Sequence, residues 1–488
     1  MRVLLRYTLV VCIVTILAWP QASAQFGNTY YHMLGVPQAN QLNPAFQPSC
    51  NGYLGLPLLS PLRLEVESSS LSYGDIFQWD RPSRKYQTFL HPEADKQKFL
   101  DALEPLNMIR MELATNILST GWRNGDLFFT LDFTERFIQD FSYPEDFAKF
   151  LVNGVLDSDN LNFSDFAENL SFFHELSIGA SYNYEDEFQL GIRAKLLLGV
   201  ANYSTKSSEI ALKTTIDEWD INSDIMVNAS IPFLENIPVD SEGNLDLDTL
   251  GNIDSDEIFD FPSKVQDLLR PSGRKAIGGF NNPGFAIDLG FNYQPIEKLS
   301  VSASVVDLGF IRWKNYVHNI HQDMEYTFEG VEIRIEEGYS VGEGLLDSLK
   351  DDMKVEVSQN PYTTMLAGKV FIGAAYSPIE MVRLGGVFRS RIQNYKFYNQ
   401  ITASANVQPI SMFSMSLSYS YYWNSYMNLG LGLSLRLGPL NLYFVTDQAP
   451  SAYFFPKELS SINFRLGMNI VWGCKAMPKA MKDRPLID

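Results

Sequence analysis

The sequence predicts an all-β fold, a transmembrane antiparallel β-barrel of about 14 strands with an N-terminal hatch-like segment and short helices in long loops. Three observations predict it. Windows of strict period-two alternation recur along the chain, an export leader precedes them all, and the connections are short on one side and long on the other.

The clearest window sets Met427, Leu429, Leu431, Leu433, Leu435 and Leu437 against Asn428, Gly430, Gly432, Ser434 and Arg436. Such a ribbon fits a core and water, or lipid and a polar lumen. The same alternation runs through Leu176–Tyr184, Phe188–Leu198, Phe285–Tyr293, Phe413–Tyr421 and Ile462–Trp472. Windows of about 9–12 residues suit tilted strands that cross a bilayer. A soluble β-sandwich or propeller shares the period but not so many long apolar faces.

The leader carries Arg2 and Arg6, an apolar run from Tyr7 to Trp19, and Ala22-Ser23-Ala24 as a cleavage signal. It reads as a signal peptide over 1–24, since its apolar core is too short to span. Nothing after it approaches the roughly 20 apolar residues of a spanning helix. Membrane residence therefore requires a closed barrel, because open strand edges cannot be satisfied in lipid.

Four turns share a proline pattern, at Gln294–Glu297, Ser377–Glu380, Gln408–Ser411 and Gly438–Leu440, and tight links occur at Arg123–Asp126 and Glu185–Glu187. Proline ends strand pairing and presets a turn. Between these links lie longer excursions near Gly74–Pro105, Ser142–Phe173, Pro232–Pro283 and Gly338–Pro361. Helical spacing is predicted over Glu93–Leu103 and Pro144–Val152, with a turn at Ser263–Leu269. Ser204–Ile231 and Asn319–Ile335 are ambiguous and leave 16 strands open, and Val305-Val306-Asp307 breaks parity as a bulge does. The predicted organisation is a signal peptide 1–24, a hatch-like segment 25–61, an outer-membrane barrel 62–473 and a periplasmic tail 474–488. This places the chain in a Gram-negative outer membrane after cleavage.

The formal net charge is −19 over 488 residues. Without the leader's two arginines it becomes −21, which excludes nucleic-acid binding through basic patches. No G-x-S-x-G, H-E-x-x-H, P-loop or cysteine-rich metal pattern occurs, so no enzyme, catalytic residue, metal or cofactor is predicted. His318, His321 and Asp323 read as ordinary strand-end residues. The acidic run Asp240–Asp248 lacks the spacing of a calcium loop. Cys50 and Cys474 flank the predicted barrel on one side. They are a candidate disulfide in an oxidising periplasm, against the alternative of two unrelated buried thiols.

Eight basic residues share the inward parity: Arg193, Lys195, Lys369, Arg383, Arg389, Arg391, Arg436 and Arg465. One reading pairs them with lumen carboxylates such as Asp132 and Asp288. The other makes the lumen attractive to anions.

Before the first strand, Gly35–Pro48 is uncharged, proline-punctuated and too irregular for a strand, so it can fill a lumen. Its candidate hatch residues are Asn43, Pro44, Ala45 and Phe46. Asn43-Pro44-Ala45 resembles the element in the N-terminal hatch of long-chain fatty-acid-transporter-like barrels. That resemblance implies a 14-stranded monomer with a periplasmic hatch and an apolar ligand path. Through Gly35–Pro48, Gly284–Gly290, Asp307–Trp313, Tyr443–Asp447 and Phe464–Gly473, the whole chain is similar to a Bacteroidota family of outer-membrane barrels without an assigned function. It departs from many bacterial barrels by continuing past Gly473 into a tail bearing Lys475, Lys479, Lys482 and Arg484.

The expected function is a passive transporter or channel for small hydrophobic or amphipathic molecules. The alternative is a non-transporting scaffold or accessory of a surface secretion, motility or adhesion system. Expected partners are outer-membrane lipid, a hydrophobic or anionic small molecule and a periplasmic or surface protein, with the barrel itself monomeric.

Overall fold

The computed structural model describes residues 28–33, 35–80, 82, 84–154, 160–185, 187–215, 218–232, 282–328, 354–393, 396–422, 425–448, 453, 457 and 459–474. The leader, the acidic run at 240–248, the turn expected at 263–269 and the tail from 475 lie outside these residues.

Fourteen antiparallel strands close into a barrel. They are β1 (Gly52–Gly55 and Leu62–Ser68), β2 (Leu106–Asn124), β3 (Leu127–Pro144), β4 (Ala167–Tyr184), β5 (Phe188–Thr214), β6 (Pro283–Ile296) and β7 (Leu299–Trp313). Then follow β8 (Gly368–Ile379), β9 (Val382–Gln393), β10 (Lys396–Ile410), β11 (Phe413–Tyr422), β12 (Ser425–Leu437), β13 (Leu440–Thr446) and β14 (Ser461–Trp472). Both segments of β1 pair with β2 on one side and β14 on the other, which closes the ring. The wall therefore starts at Gly52, ten positions before the sequence boundary at 62. A short segment from Leu56 to Pro61 interrupts the first strand, so its opening four residues carry no long alternation to read.

The alternation becomes an inside and an outside. In β4, Ser177 and Ser181 are buried while Ile178 and Tyr182 are exposed, and in β12 Ser434 is buried while Leu435 and Leu437 are exposed. The outer face thus carries the large apolar side chains. Toward the short-turn end it gains exposed aromatics at Trp122, Tyr184, Tyr293, Tyr376 and Trp472. Among the described residues no helix is long and apolar enough to cross a membrane.

Three proline turns share one construction. Strand pairing slips between Tyr293 and Ile296, between Tyr376 and Ile379, and between Val407 and Ile410, and then resumes for one pair before a two-residue turn. Each slip holds the proline, which has no N–H to give the ladder. The opposite end is less uniform than expected, since β9–β10 and β11–β12 are joined there by short links.

Beyond the wall part of β5, the described residues of the two ambiguous segments form strands that stand outside the closed ring. The far end of β5 pairs with Trp219–Ser230, which pairs with Val317–Phe328, which pairs with Lys354–Ser358. A period of two cannot distinguish wall from extension. Helices α1 (Tyr73–Ile76), α2 (Lys96–Asp101) and α3 (Glu145–Asn153) cap the loop end, where Leu71, Phe99, Tyr143 and Ala148 form a small core. Acids Glu145 and Asp146 begin α3, as the helix dipole favours, and Gly154 ends it at φ 73° and ψ −160°, a backbone open to glycine.

The predicted parity break is a bulge. Asp288 of β6 faces both Val306 and Asp307 of β7. Asp307 takes φ 61° and its N–H donates to Asp288 Oδ1 at 2.8 Å. The strand opposite is interrupted at the same height, and Tyr362–Met365 continues β8 along β7 beyond the break.

Candidate functional site

Residues 28–33 and 35–48 run inside the barrel, and the wall's inward glycines make room for them. Gly191 and Gly290 are register partners on β5 and β6. A Cβ on Gly191 would lie 2.1 Å from the Pro44 carbonyl carbon, and one on Gly290 would lie 2.2 Å from Asn43 Oδ1. Asn43-Pro44-Ala45 thus sits in a slot that only glycines leave open. Gly430 and Gly432 similarly admit Thr29 and Met33.

Hydrogen bonds then fasten the segment. The Asn43 amide donates to the carbonyls of Phe291 (3.1 Å) and Ala303 (3.3 Å) and to the Tyr31 hydroxyl (3.3 Å), and its Oδ1 accepts from the Ala45 N–H at 3.0 Å. The Ser304 hydroxyl donates to the Leu42 carbonyl at 2.7 Å. Asp447 receives both the backbone N–H (3.1 Å) and the hydroxyl of Thr29. Gln38 Nε2 donates to Asn469 Oδ1 at 2.5 Å. Nearer the turn end, Phe46 packs edge-on against Tyr31, with ring centroids 5.1 Å apart, and Arg123 donates to the Pro48 carbonyl at 2.7 Å. The Cys50–Cys474 disulfide joins the chain at the β1–β14 seam, immediately after this segment.

His32 is the segment's titrating residue. Its Nε2 lies 3.2 Å from the Gly386 carbonyl, and burial holds its imidazole down from 6.5 to about 4, with Arg383 adding to the shift. The seated form is therefore neutral, while an unseated imidazole gains a proton near 6.5. Seating is complete above that value and weakens by up to about 3 kcal/mol as pH falls toward 4. Amide hydrogen exchange of the segment, corrected for its intrinsic pH dependence, is expected to be faster at pH 4.5 than at pH 7.5, and His32→Gln is expected to flatten the change. A pH-independent wild type would contradict it.

Above the segment, an ion network fills the mid-barrel. Glu112 meets Arg63 (3.1 Å), Arg110 (3.4 Å), Arg136 (3.0 Å) and Lys369 (3.8 Å). Asp307 meets Arg136 (3.1 Å), Lys195 (2.6 Å) and Lys369 (3.3 Å). Glu175 bridges Arg136 and Lys195, while Asp288 binds Lys195 at 2.9 Å and Arg193 at 3.5 Å. Arg110 also binds Asp140, and separate pairs join Arg391 to Glu67 and Arg465 to Glu65. A cavity of about 50 Å³ lies among these charges. On the loop side a vestibule of about 590 Å³ opens beside Met108, Asp140, Phe166 and Tyr398, and on the turn side a pocket of about 350 Å³ lies between the segment and the wall.

The eight basic residues separate into two groups. Arg193, Lys195, Lys369, Arg391 and Arg465 join carboxylates, and Arg389 lies over the Phe371 ring at 5.9 Å. Arg383 and Arg436 line the turn-side pocket instead. Asp288 is in the network, whereas Asp132 accepts a hydrogen bond from Ser119 at 2.7 Å. Sequence reasoning missed Arg63, Glu65, Glu67, Arg110, Glu112, Arg136, Asp140, Glu175 and Asp307 as lumen charges. For β1 the signal was available, since Leu62, Leu64 and Val66 alternate with Arg63, Glu65 and Glu67. His318 and His321 lie three apart on one strand and so face opposite sides.

No curated protein matches the chain. Among solved structures it is similar to the toluene transporter TbuX of Ralstonia pickettii, at TM-score 0.42 and 8% identity over 92% of this chain and 98% of that one. It is also similar to the toluene transporter TodX of Pseudomonas putida, at 0.36 and 9% over 93% and 98%. A Pseudomonas aeruginosa FadL homologue gives 0.38 and 9% over 93% and 100%. The residues carrying the sequence resemblance fall on the site, with Asp288 and Gly290 in Gly284–Gly290, Asp307 at the bulge and Asp447 on Thr29. A model of one family covers residues 44–447, and the chain belongs to that family, the family of unknown function DUF5723.

Proposed function

We propose that this protein is an outer-membrane barrel that passes small hydrophobic or amphipathic molecules passively, and that its own N-terminal segment holds it shut. The apolar outer face with its aromatic rim supports residence in lipid. The short-turn end, which carries both ends of the wall, then faces the periplasm. The observation that carries the transport reading is the lumen's layout. Two cavities of about 590 and 350 Å³ open toward opposite ends, and the barrier beside the inner one is a segment seated by hydrogen bonds rather than a strand of the wall.

The ion network narrows the mid-barrel, which is what favours the scaffold reading, whereas on the transport reading the segment below it is the barrier that governs passage. Influx of N-phenylnaphthylamine into intact cells tests the choice. Cells carrying a chain without residues 28–48 are expected to take up the dye several-fold faster than cells carrying the full barrel. Unchanged influx through a correctly assembled, segment-free barrel would overturn transport and leave the scaffold.

A further inference from the structure

The turn-side pocket combines unneutralised cations with an apolar floor. Arg383 begins β9 and Arg436 ends β12, three interstrand steps apart, or about 14 Å along the wall. Both line the same cavity of about 350 Å³, on either side of the turn bearing Met412 and Phe413. Among the described residues, neither guanidinium lies within ion-pair distance of a carboxylate. The polar contact recorded for the Arg436 side chain is a 3.9 Å approach to Cys50 Sγ. The cations of the mid-barrel network instead meet carboxylates, often several at once.

Among the described residues, the other charges lining the pocket are Lys298, which donates to the Pro378 carbonyl at 3.3 Å, and Glu297. The pocket's formal charge is thus positive, with His32 neutral beside it. Phe46, Val36 and Pro37 from the N-terminal segment and Met412 and Phe413 from the wall supply apolar surface. A guanidinium rim over an apolar floor matches one ligand chemistry: a single anionic headgroup on a short apolar chain. Because the same segment forms the floor, an occupant would touch wall and segment together.

We infer that the periplasm-facing pocket between the N-terminal segment and strands β9–β12 is a binding site for small amphipathic anions, with Arg383 and Arg436 taking the headgroup. Its purpose, release or capture of transported molecules, rests on the transport reading. Its existence does not.

Titration calorimetry on the full-length barrel in a nonionic detergent tests it, with decanoate, decyl phosphate and decanol as probes. At least one anion is expected to bind about tenfold more tightly than decanol. The preferred anion then names carboxylate or phosphate as the headgroup. Arg383→Gln and Arg436→Gln are expected to weaken that anion about tenfold together while leaving decanol unchanged, with heat-modifiable gel migration verifying assembly. For the wild type alone, added salt is expected to bring the anion's affinity down toward that of decanol. Equal affinity for anion and alcohol, salt-independent anion binding, or an unchanged double variant would overturn the site. Anion binding without dye influx overturns transport alone, and influx without anion preference overturns the pocket alone.

Discussion

Asp307→Asn is expected to destabilise the barrel by about 3–5 kcal/mol, the largest stability effect of any single substitution proposed for this chain. Asp307 is buried and within 3.3 Å of three cations, Arg136, Lys195 and Lys369. Asparagine preserves the shape and tolerates the left-handed backbone at this bulge, so the change isolates the charge. Lys369 would keep its 3.8 Å contact with Glu112. Lys195 would keep Asp288 at 2.9 Å and Glu175 at 3.5 Å, both closer than Glu112 lies to Lys369, so Lys369 is expected to bear more of the cost than Lys195. Adding Lys369→Met should recover part of the loss, because an uncharged side chain of similar length removes a buried cation whose 3.3 Å carboxylate partner is gone. The temperature at which the folded gel band disappears measures both. An unchanged temperature for Asp307→Asn would show that the network contributes nothing to the mid-barrel.

The second large effect concerns the seat of the N-terminal segment. Gly191→Val and Gly290→Val together should leave the wall intact and expel Asn43–Ala45. Valine is a good strand former, and the clash is with the segment's backbone at 2.1–2.3 Å for Gly191, not with a mobile side-chain tip. Expulsion breaks the Asn43 amide's bonds to Phe291 and Ala303, each worth about 1 kcal/mol net. A Leu42→Cys reporter is buried in the seated state, at 7% exposure. It is expected to become maleimide-reactive in the double-valine chain, with dye influx rising toward that of the segment-free barrel. A reporter that stays protected would place the segment's hold elsewhere, at Thr29–Asp447 and Gln38–Asn469.

These two sites show where local pattern stops being informative. The barrel was legible because inward and outward alternate within a single strand, as Asn428–Leu437 does, and because a leader and one-sided turns restrict where such strands can live. The small inward residues were equally visible. Their purpose was not, since Gly191 is separated from Pro44 by more than a hundred residues of chain. The eight basic residues were found by parity, but parity does not say which carboxylate faces which arginine. That depends on curvature, which brings β2, β3, β5, β7 and β8 together around Glu112 and Asp307. For the same reason nothing local separates Arg383 and Arg436 from Arg193. The extension built from Trp219–Ser230 and Val317–Phe328 escaped assignment because it alternates like wall while pairing outside the ring.

The central claim is that the N-terminal segment is the removable barrier of a membrane barrel. Thr29 Oγ1 and Ser418 Oγ lie 2.6 Å apart, one on the segment and one on β11. Thr29→Cys with Ser418→Cys, in a chain whose Cys50 and Cys474 are replaced by serine, gives a tether that can be closed and opened. Planar-bilayer conductance of this barrel is predicted to be silent when oxidised and to show discrete openings after reduction. Equal conductance in the two states would contradict the claim.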